Sequence, residues 1–266
     1  MSVLCIFSIC KNKLYNSYYD AYKMQEFHCK NNGYDCILLE NKIENINDTY
    51  IERFYTIFSI NNNLLNKYDY YFILDIDTIL NINRLDFENK ILKLKNNLNK
   101  NRNYNIKDKF MFSVFDINNF KKDYYSYIKF FLILFSKKYF DFFIKILKKE
   151  IKNNQTIYNL LNEAKKYYKC INNFPIYQGN DEILMAYLLL KYRITNLYNL
   201  LYNNIFNLTY TRLNINTGII LDVCTNKTFN TDNIKYFKKF DFLHVTSLDL
   251  YKYKEKYYDL FYNTKT

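Results

Sequence analysis

The chain has 266 residues, of which 49% are hydrophobic, 20% aromatic and 24% charged, and its formal net charge is +12. This much apolar and aromatic material excludes an intrinsically disordered chain and is enough for the core of one large domain. The positive charge favours an anionic partner, such as a nucleotide phosphate, a nucleic acid or an acidic membrane surface, but it does not choose among them.

The first part of the sequence alternates between apolar runs and helix-like segments. An apolar run at 3–9 predicts a first strand. The segment 16–31 predicts a helix that ends before Gly33, a residue suited to the left-handed conformation at a helix C-terminus. A second strand at 34–39 and a second helix at 49–66 repeat this pattern.

The next apolar run, Tyr70–Leu74, is continuous rather than alternating. Such a run is typical of a parallel strand that is buried on both faces. The order strand, helix, strand, helix, strand predicts an α/β fold in which helices flank a mostly parallel sheet.

Later elements are read in the same way. The pattern predicts a strand at 110–115, a largely helical segment at 121–168 whose first helix reaches about residue 149, a helix at 181–192, and strands near 219–223 and 240–245.

Nothing near Met1 indicates a secretory signal, because the first apolar run follows without basic residues or a cleavage site. No apolar run approaches the roughly 20 residues of a membrane-spanning helix. We therefore expect a cytoplasmic protein whose six cysteines, which form no C-x-x-C pair, are reduced and mostly buried. The Lys-bracketed aromatic segment 121–149 could make a peripheral contact with an anionic membrane, or it could be an ordinary helix packed on the domain.

Asp75 and Asp77 follow the most apolar predicted strand as an Asp-x-Asp pair. Carboxylates beside a buried strand need a partner such as a cation. Two oxygen ligands at this spacing can bind Mn²⁺ or Mg²⁺ and leave room for a diphosphate. The pair also falls at the carboxyl end of a strand, where open α/β sheets bind their ligands. The alternative interpretation is an acidic turn that caps the next segment.

The order of elements ending in Asp-x-Asp resembles the GT-A nucleotide-sugar glycosyltransferases, a Rossmann-like fold. The similarity is greatest to the galactosyl and mannosyl transferases of that fold, which read roughly N-x-x-Y, then HGYD, then Y-D-W-I-W-W-L-D-x-D-A. The segments of this chain that carry the similarity are Asn16–Tyr19, Cys29–Asp35, Arg53 and Lys67–Thr78.

Three later segments are also similar to motifs of those transferases. Gly179–Glu182, which opens an apolar helix, is similar to the D-[QE] segment of the acceptor side. Asn216–Leu221 is similar to the N-[ST]-G loop and strand near the donor sugar, and Phe242–Val245 to a late segment whose His completes the metal shell. The chain departs from the family in the order of the first two motifs and in having Thr246-Ser247 in place of the Gly that comes after that His.

The rare residues of this chain fall in these segments. It has only three glycines, one proline and two histidines. Gly179, Gly218, Pro175 and His244 all lie in or beside the three later segments. Where Gly and Pro are this scarce, the remaining ones are expected at positions that the backbone requires.

The resemblance implies a role for each candidate residue. Asp75, Asp77 and His244 would hold Mn²⁺ or Mg²⁺, which stabilises the diphosphate as it leaves. Other residues would bind the nucleotide-sugar, with Ser8 and Asn12 at the base and ribose, Arg53 at the base or phosphate, Asp75 beside the diphosphate, and Asn216 and Gly218 at the sugar. Asp181 or Glu182 would be catalytic, orienting the acceptor hydroxyl or the donor hexose.

The resemblance also implies a single domain over 1–266. Its parts would be a nucleotide-sugar-binding half at about 1–120, a helical insertion at about 121–170 and an acceptor-side half at about 171–266. The reaction would be transfer of a hexose, from a UDP-sugar more than a GDP-sugar and with retention of configuration, to a glycan, protein or lipid acceptor. No specific nucleic acid is expected as a partner.

Other interpretations remain open at this point. Asp75 and Asp77 also resemble the D-x-D-x-[TV] start of haloacid-dehalogenase-type phosphatases, although two strand–helix units precede them here. A sugar nucleotidyltransferase would need an early Gly-rich loop, which is absent. A basic protein that binds nucleic acid or membrane on a degenerate transferase fold is the non-enzymatic alternative. At single residues, Asn180–Glu182 could be a simple helix N-terminus, His244 a core histidine and Arg53 a surface charge.

Overall fold

The computed structural model describes the greater part of the chain. The described residues are 2–8, 15–31, 33–40, 48–58, 66–81, 86–100, 111–115, 128–170, 179–194, 197–199, 208–214, 219–222, 227–230 and 241–245. The helices are α1 Tyr15–Asn31, α2 Thr49–Phe58, α3 Phe87–Lys100, α4 Lys137–Glu150, α5 Asn154–Cys170 and α6 Asn180–Lys191. The strands are β1 Val3–Ser8, β2 Asp35–Leu39, β3 Tyr70–Asp75, β4 Thr78–Leu80, β5 Met111–Phe115, β6 Ile128–Ser136, β7 Leu197–Asn199, β8 Leu208–Asn214, β9 Ile219–Asp222, β10 Lys227–Asn230 and β11 Phe242–Val245.

The larger sheet has six strands in the order β2-β1-β3-β6-β5-β7. The pairs β1–β2, β1–β3 and β5–β7 are parallel, whereas β6 runs antiparallel to both of its neighbours. The expected α/β fold class, a mostly parallel sheet flanked by helices, is confirmed. All five residues of Tyr70–Leu74 are buried, as a central strand covered on both faces requires.

The prediction of a helix from 121 to about 149 is wrong for part of that segment. Residues 128–136 form β6, which lies between β3 and β5 in the sheet, and α4 begins at Lys137. Residues 121–127 lie outside the described residues. A short continuous apolar run fits a buried strand and a buried helix equally well, and only its neighbours decide between them. The helical part of the expected insertion is therefore the α4–α5 pair.

Residues 133–149, the part of this segment whose side chains are described, present no apolar face on the outside of the protein. Its described apolar side chains are mostly buried against the sheet and the neighbouring helices: Ile133, Leu134, Phe135, Tyr139, Phe140, Phe143, Ile144, Ile146 and Leu147. The exposed positions of α4 are lysines, namely Lys138, Lys145, Lys148 and Lys149. Whether the segment 121–149 contacts a membrane remains a prediction. Within the described residues, no helix is both long enough and apolar enough to span a bilayer.

The smaller sheet has five strands in the order β10-β9-β8-β11-β4. Its edge strand β4 begins at Thr78, whereas β3 of the larger sheet ends at Asp75. The chain therefore passes from one sheet to the other through only two residues, Ile76 and Asp77. The sequence did not predict β4, β7, β8 or β10, which are short or lack a clear apolar period.

Local signals in the sequence account for the ends of several helices. Gly33 has a φ of +76°, and its N–H bonds to the carbonyl of Lys30 at 3.1 Å, so it ends α1 in the left-handed conformation as predicted. Asp48 caps α2 by accepting hydrogen bonds from the N–H groups of Tyr50 and Ile51. Asp86 does the same for α3 through Asn89.

Three cysteines lie together where α1 packs on the larger sheet. Cys5, Cys29 and Cys36 are buried and are not joined in disulfides, and their sulfur atoms lie within 4.8 Å of one another. Hydrogen bonds with Cys29 and Cys36, together with burial, raise the pKa of Cys5, and hydrogen bonding with Cys29 raises the pKa of Cys36. The thiols of Cys5 and Cys36 are therefore protonated at neutral pH, and all three cysteines pack as small apolar side chains, as expected of buried cysteines.

Candidate active site

The Asp-x-Asp pair lies at the junction of the two sheets. Asp75 is the last residue of β3, and Asp77 directly precedes β4. Because the β3 and β4 ladders fix both flanks, the turn between them has little freedom. Asp75 and Asp77 therefore lie at the carboxyl edge of the parallel strands, as the sequence predicts.

Ser8 lies beside Asp75. It is the last residue of β1, and in the parallel register of β1 with β3 it pairs with Asp75. Neighbouring strands are about 4.8 Å apart, so the expected nucleotide-binding position and the Asp-x-Asp pair share one edge of the sheet. Asn12, the second expected nucleotide contact, lies outside the described residues.

Arg53 connects Asp75 with Asp181. It lies in the second turn of α2, with one guanidinium nitrogen paired to Asp75 and another to Asp181. Its Nε also donates to Asp181 Oδ2 at 2.9 Å. Only 14% of the Arg53 side chain is exposed and none of Asp181, so the alternative of Arg53 as a surface charge is wrong. Whether Arg53 also contacts a nucleotide remains a prediction.

The surroundings of this guanidinium are strongly acidic. Burial alone would lower the pKa of Arg53, but attraction to Asp181, Glu182 and Asp77 and the hydrogen bond to Asp181 outweigh burial and raise it. With Asp75, four carboxylates of the described chain interact with this one cation. The site thus carries an excess of negative charge that suits a bound divalent cation.

The N-termini of α2 and α6 are joined at the same place. Asn180, the first residue of α6, donates its side-chain amide to the capping carboxylate of Asp48. Asp181 Oδ1 accepts the N–H of Glu182 at 2.9 Å, and Glu182 Oε2 accepts the N–H of Gly179 at 3.3 Å. Asp181 and Glu182 therefore do form a helix N-terminus, with Gly179 rather than Asn180 at the cap position, and Asp181 belongs to the Arg53 network as well.

Gly179 is required by the close approach of these two helices. A Cβ at this position would lie 2.5 Å from Asp181 Oδ1 and 2.9 Å from the ring of Tyr50. The backbone itself is unstrained, with a φ of −65°. One of the three glycines of the chain therefore leaves the space through which α2 contacts the first turn of α6.

Replacing Gly179 with Ala should lower the free energy of unfolding by about 1–3 kcal/mol, the usual cost of overpacking. Urea unfolding would measure this effect, with Asn162→Ala at an exposed position of α5 as the control. Adding Tyr50→Ala removes one of the two contacts and should restore part of the loss. If the second substitution gives no recovery, Tyr50 is not what excludes a side chain at residue 179.

His244 lies on the strand that pairs with β4. In the antiparallel register of β11 with β4, His244 is opposite Thr78, one residue from Asp77. The start of β11 is fixed by the buried Asp241, whose carbonyl accepts the Asn81 N–H at 2.8 Å and whose carboxylate pairs with Lys90 of α3. The backbone thus brings His244 to the Asp-x-Asp turn, and its role as a metal ligand remains a prediction.

Asn216 and Gly218 lie outside the described residues, between β8 and β9. These strands are antiparallel, with Asn214 opposite Ile219. Because β8 runs parallel to β11, it ends at the same end of the smaller sheet as Val245 and the beginning of β4. The last residue of β8 and the first residue of β9 therefore lie at the same end of the smaller sheet as Asp77, and the contact of Asn216 and Gly218 with the sugar remains a prediction.

Sequence reasoning missed two contributors to the site. For Asp48, the sequence indicates only an N-cap, because it is an acidic residue directly before an apolar helix. Gln25 of α1 carried no signal at all, yet its Nε2 donates to the carbonyl oxygen of Ile76 at 3.2 Å.

Comparison with solved structures extends this description of the fold. A glycosyltransferase involved in the glycosylation of the major capsid of PBCV-1 superimposes with a TM-score of 0.55 over 96% of this chain and 100% of that chain. This chain shares the fold of a glycosyltransferase. Sequence identity is 11%, so the similarity establishes the fold and leaves the activity to be argued from the site. The sequence matches no protein-family profile and no curated protein.

Proposed function

We propose that this protein is a glycosyltransferase that uses a divalent cation, Mn²⁺ or Mg²⁺, and a nucleoside diphosphate sugar, with UDP favoured over GDP. The observation that carries the proposal is the bridge from Asp75 through Arg53 to Asp181. It joins the Asp-x-Asp pair to the Asp-Glu helix, two motifs that lie far apart in the sequence. The first resembles the metal-binding Asp-x-Asp motif of GT-A transferases and the second their acceptor-side D-[QE] segment, and the fold is that of a glycosyltransferase.

The donor groups at this edge suit a hard divalent cation. Asp75 and Asp77 offer carboxylate oxygens, and the β11–β4 register brings a histidine beside them. The excess negative charge around Arg53 would be reduced by a bound cation. Asp75, Asp77 and His244 would hold it, and when bound it would neutralise the diphosphate and stabilise it as a leaving group.

The other residues of the site have separate tasks in this proposal. Arg53 orients Asp75 and Asp181 by pairing with both carboxylates. Asp181 is fully buried with both oxygens bonded, so it positions Arg53 and the first turn of α6. Glu182 is only partly buried, and it is the better placed of the two acids to accept a hydrogen bond from a sugar hydroxyl.

The remaining details rest on the resemblance. The carboxyl end of β1 at Ser8, with Asn12 beyond it, would bind the nucleotide, and Asn216 and Gly218 would approach the sugar. Retention of configuration is proposed on the same ground. The acceptor would be a glycan, a protein or a lipid.

A thermal-shift series tests the proposal directly. We expect UDP-sugars to raise the melting temperature more than GDP-sugars, and to do so only with Mn²⁺ or Mg²⁺ present, since a ligand that binds the folded state stabilises it. EDTA should abolish the shift. The absence of any shift across UDP- and GDP-sugars would contradict the proposal. Metal-dependent phosphate release from a simple phosphomonoester would favour the phosphatase alternative instead.

A further inference from the structure

A buried glutamine on α1 contacts the turn between the two aspartates. Gln25 is fully buried, and its Nε2 donates to the carbonyl oxygen of Ile76 at 3.2 Å. Ile76 is the central residue of Asp75-Ile76-Asp77. The hydrogen bond joins a helix near the start of the chain to a turn 51 residues later.

The orientation of this amide is fixed by chemistry. A carbonyl oxygen can only accept a hydrogen bond, so the NH₂ group of Gln25 must face Ile76. The other half of the amide, Oε1, is buried and accepts no hydrogen bond. A buried amide whose oxygen accepts no hydrogen bond lowers the stability of the folded state.

Packing alone does not explain an amide here. The neighbouring positions on the same face of α1, Ala21, Tyr22 and Cys29, are buried, and the Tyr22 ring contacts Phe7. A methionine would fill similar space in such surroundings without burying a polar group. What a methionine could not supply is the donor for the Ile76 carbonyl.

The position of that carbonyl decides the geometry of the pair. Asp75 is held by the β3 ladder and by Arg53, and Thr78 is held by β4 and β11. Ile76 and Asp77 are the two residues between these fixed points. A hydrogen bond to the Ile76 carbonyl sets the peptide plane between Ile76 and Asp77, and so the direction in which the chain enters Asp77.

We propose that Gln25 is a positioning residue that fixes the Asp75–Asp77 turn in the conformation needed to bind the cation. The identity of the cation in this inference rests on the proposed function. The effect of Gln25 on the geometry of the turn does not. Gln25 reaches only the backbone and would touch neither cation nor substrate. It acts as the supporting groups around metal ligands do, where loss typically costs 10- to 100-fold in metal affinity.

The test uses Gln25→Met, with Gln155→Met at an exposed position of α5 as the matched control. Mn²⁺ affinity is measured in the presence of UDP, from the electron paramagnetic resonance signal of free Mn²⁺. We expect Gln25→Met to weaken Mn²⁺ binding about tenfold or more and to leave the melting temperature within a few degrees of the original protein. The rate of UDP-sugar hydrolysis should recover at high Mn²⁺.

A second measurement does not depend on the metal. Without any cation, amide hydrogen exchange at Asp77 and Thr78 should be about tenfold faster in Gln25→Met than in the original protein. It should be unchanged in Gln155→Met. If the original protein binds no Mn²⁺ but this difference is found, the proposed function fails and the positioning role stands.

Three results would overturn the role of Gln25. One is unchanged exchange at the turn. Another is an unchanged Mn²⁺ affinity in Gln25→Met, given that the original protein binds Mn²⁺. The third is loss of folding in both Gln25→Met and Gln25→Leu, which would place the role of this side chain in the core rather than at the turn.

Discussion

Replacing Asp77 with Asn is expected to lower the rate of metal-dependent UDP-sugar hydrolysis by about a hundredfold or more, the scale seen when one group that stabilises developing charge is lost. The substitution keeps the shape of the side chain but removes a charged oxygen ligand from the turn between β3 and β4. The thermal shift caused by Mn²⁺ with a UDP-sugar should disappear with it. Initial rates measured over a range of Mn²⁺ concentrations, together with that shift, would check this prediction.

The matched control for this experiment is Asp20→Asn, at an exposed position of α1. It makes the same chemical change at an exposed residue outside the turn and should alter neither the rate nor the shift. The melting temperature of Asp77→Asn without ligand should stay close to that of the original protein, because Asp77 lies in a turn and not in the core. Full hydrolysis by Asp77→Asn would rule out the metal role of this residue.

The sequence predicts much of the larger sheet because its signals are local. The apolar runs of β1, β2 and β3 are bounded by helix-like segments, and Gly33 marks the end of α1 where the backbone adopts a positive φ. The position of the Asp-x-Asp pair follows directly, since it comes at the end of the most buried strand. The scarcity of glycine predicts that the remaining glycines lie where the backbone requires them, and Gly179 does lie where no side chain fits.

The contacts that make the site are not local, and the sequence alone does not determine them. Arg53 and Asp181 are 128 residues apart, and nothing in either segment indicates that α2 and α6 meet. The strand β6 was predicted as a helix because its apolar run becomes a strand only between β3 and β5. Gln25 is an ordinary helix residue until the fold places the Ile76 carbonyl beside it.

The buried charges of the site lead to the second large effect. Replacing Arg53 with Met should lower the free energy of unfolding by about 3–5 kcal/mol, the usual cost of removing one partner of a buried ion pair. Most of this cost should come from Asp181, which has no exposed surface, rather than from Asp75, whose side chain is 19% exposed. Such a loss is a large part of the stability of a typical domain, so urea unfolding is best measured at low temperature.

A double-mutant comparison separates the two carboxylates. Adding Asp181→Asn to Arg53→Met removes the buried, unpaired charge and should recover much of the lost stability. Adding Asp75→Asn should recover less, because water can partly solvate that carboxylate. Equal recovery from both would show that Asp181 is not the more deeply buried partner. Arg53→Lys keeps the charge but cannot hold two carboxylates in a planar fork, so its stability should lie between those of Arg53→Met and the original protein.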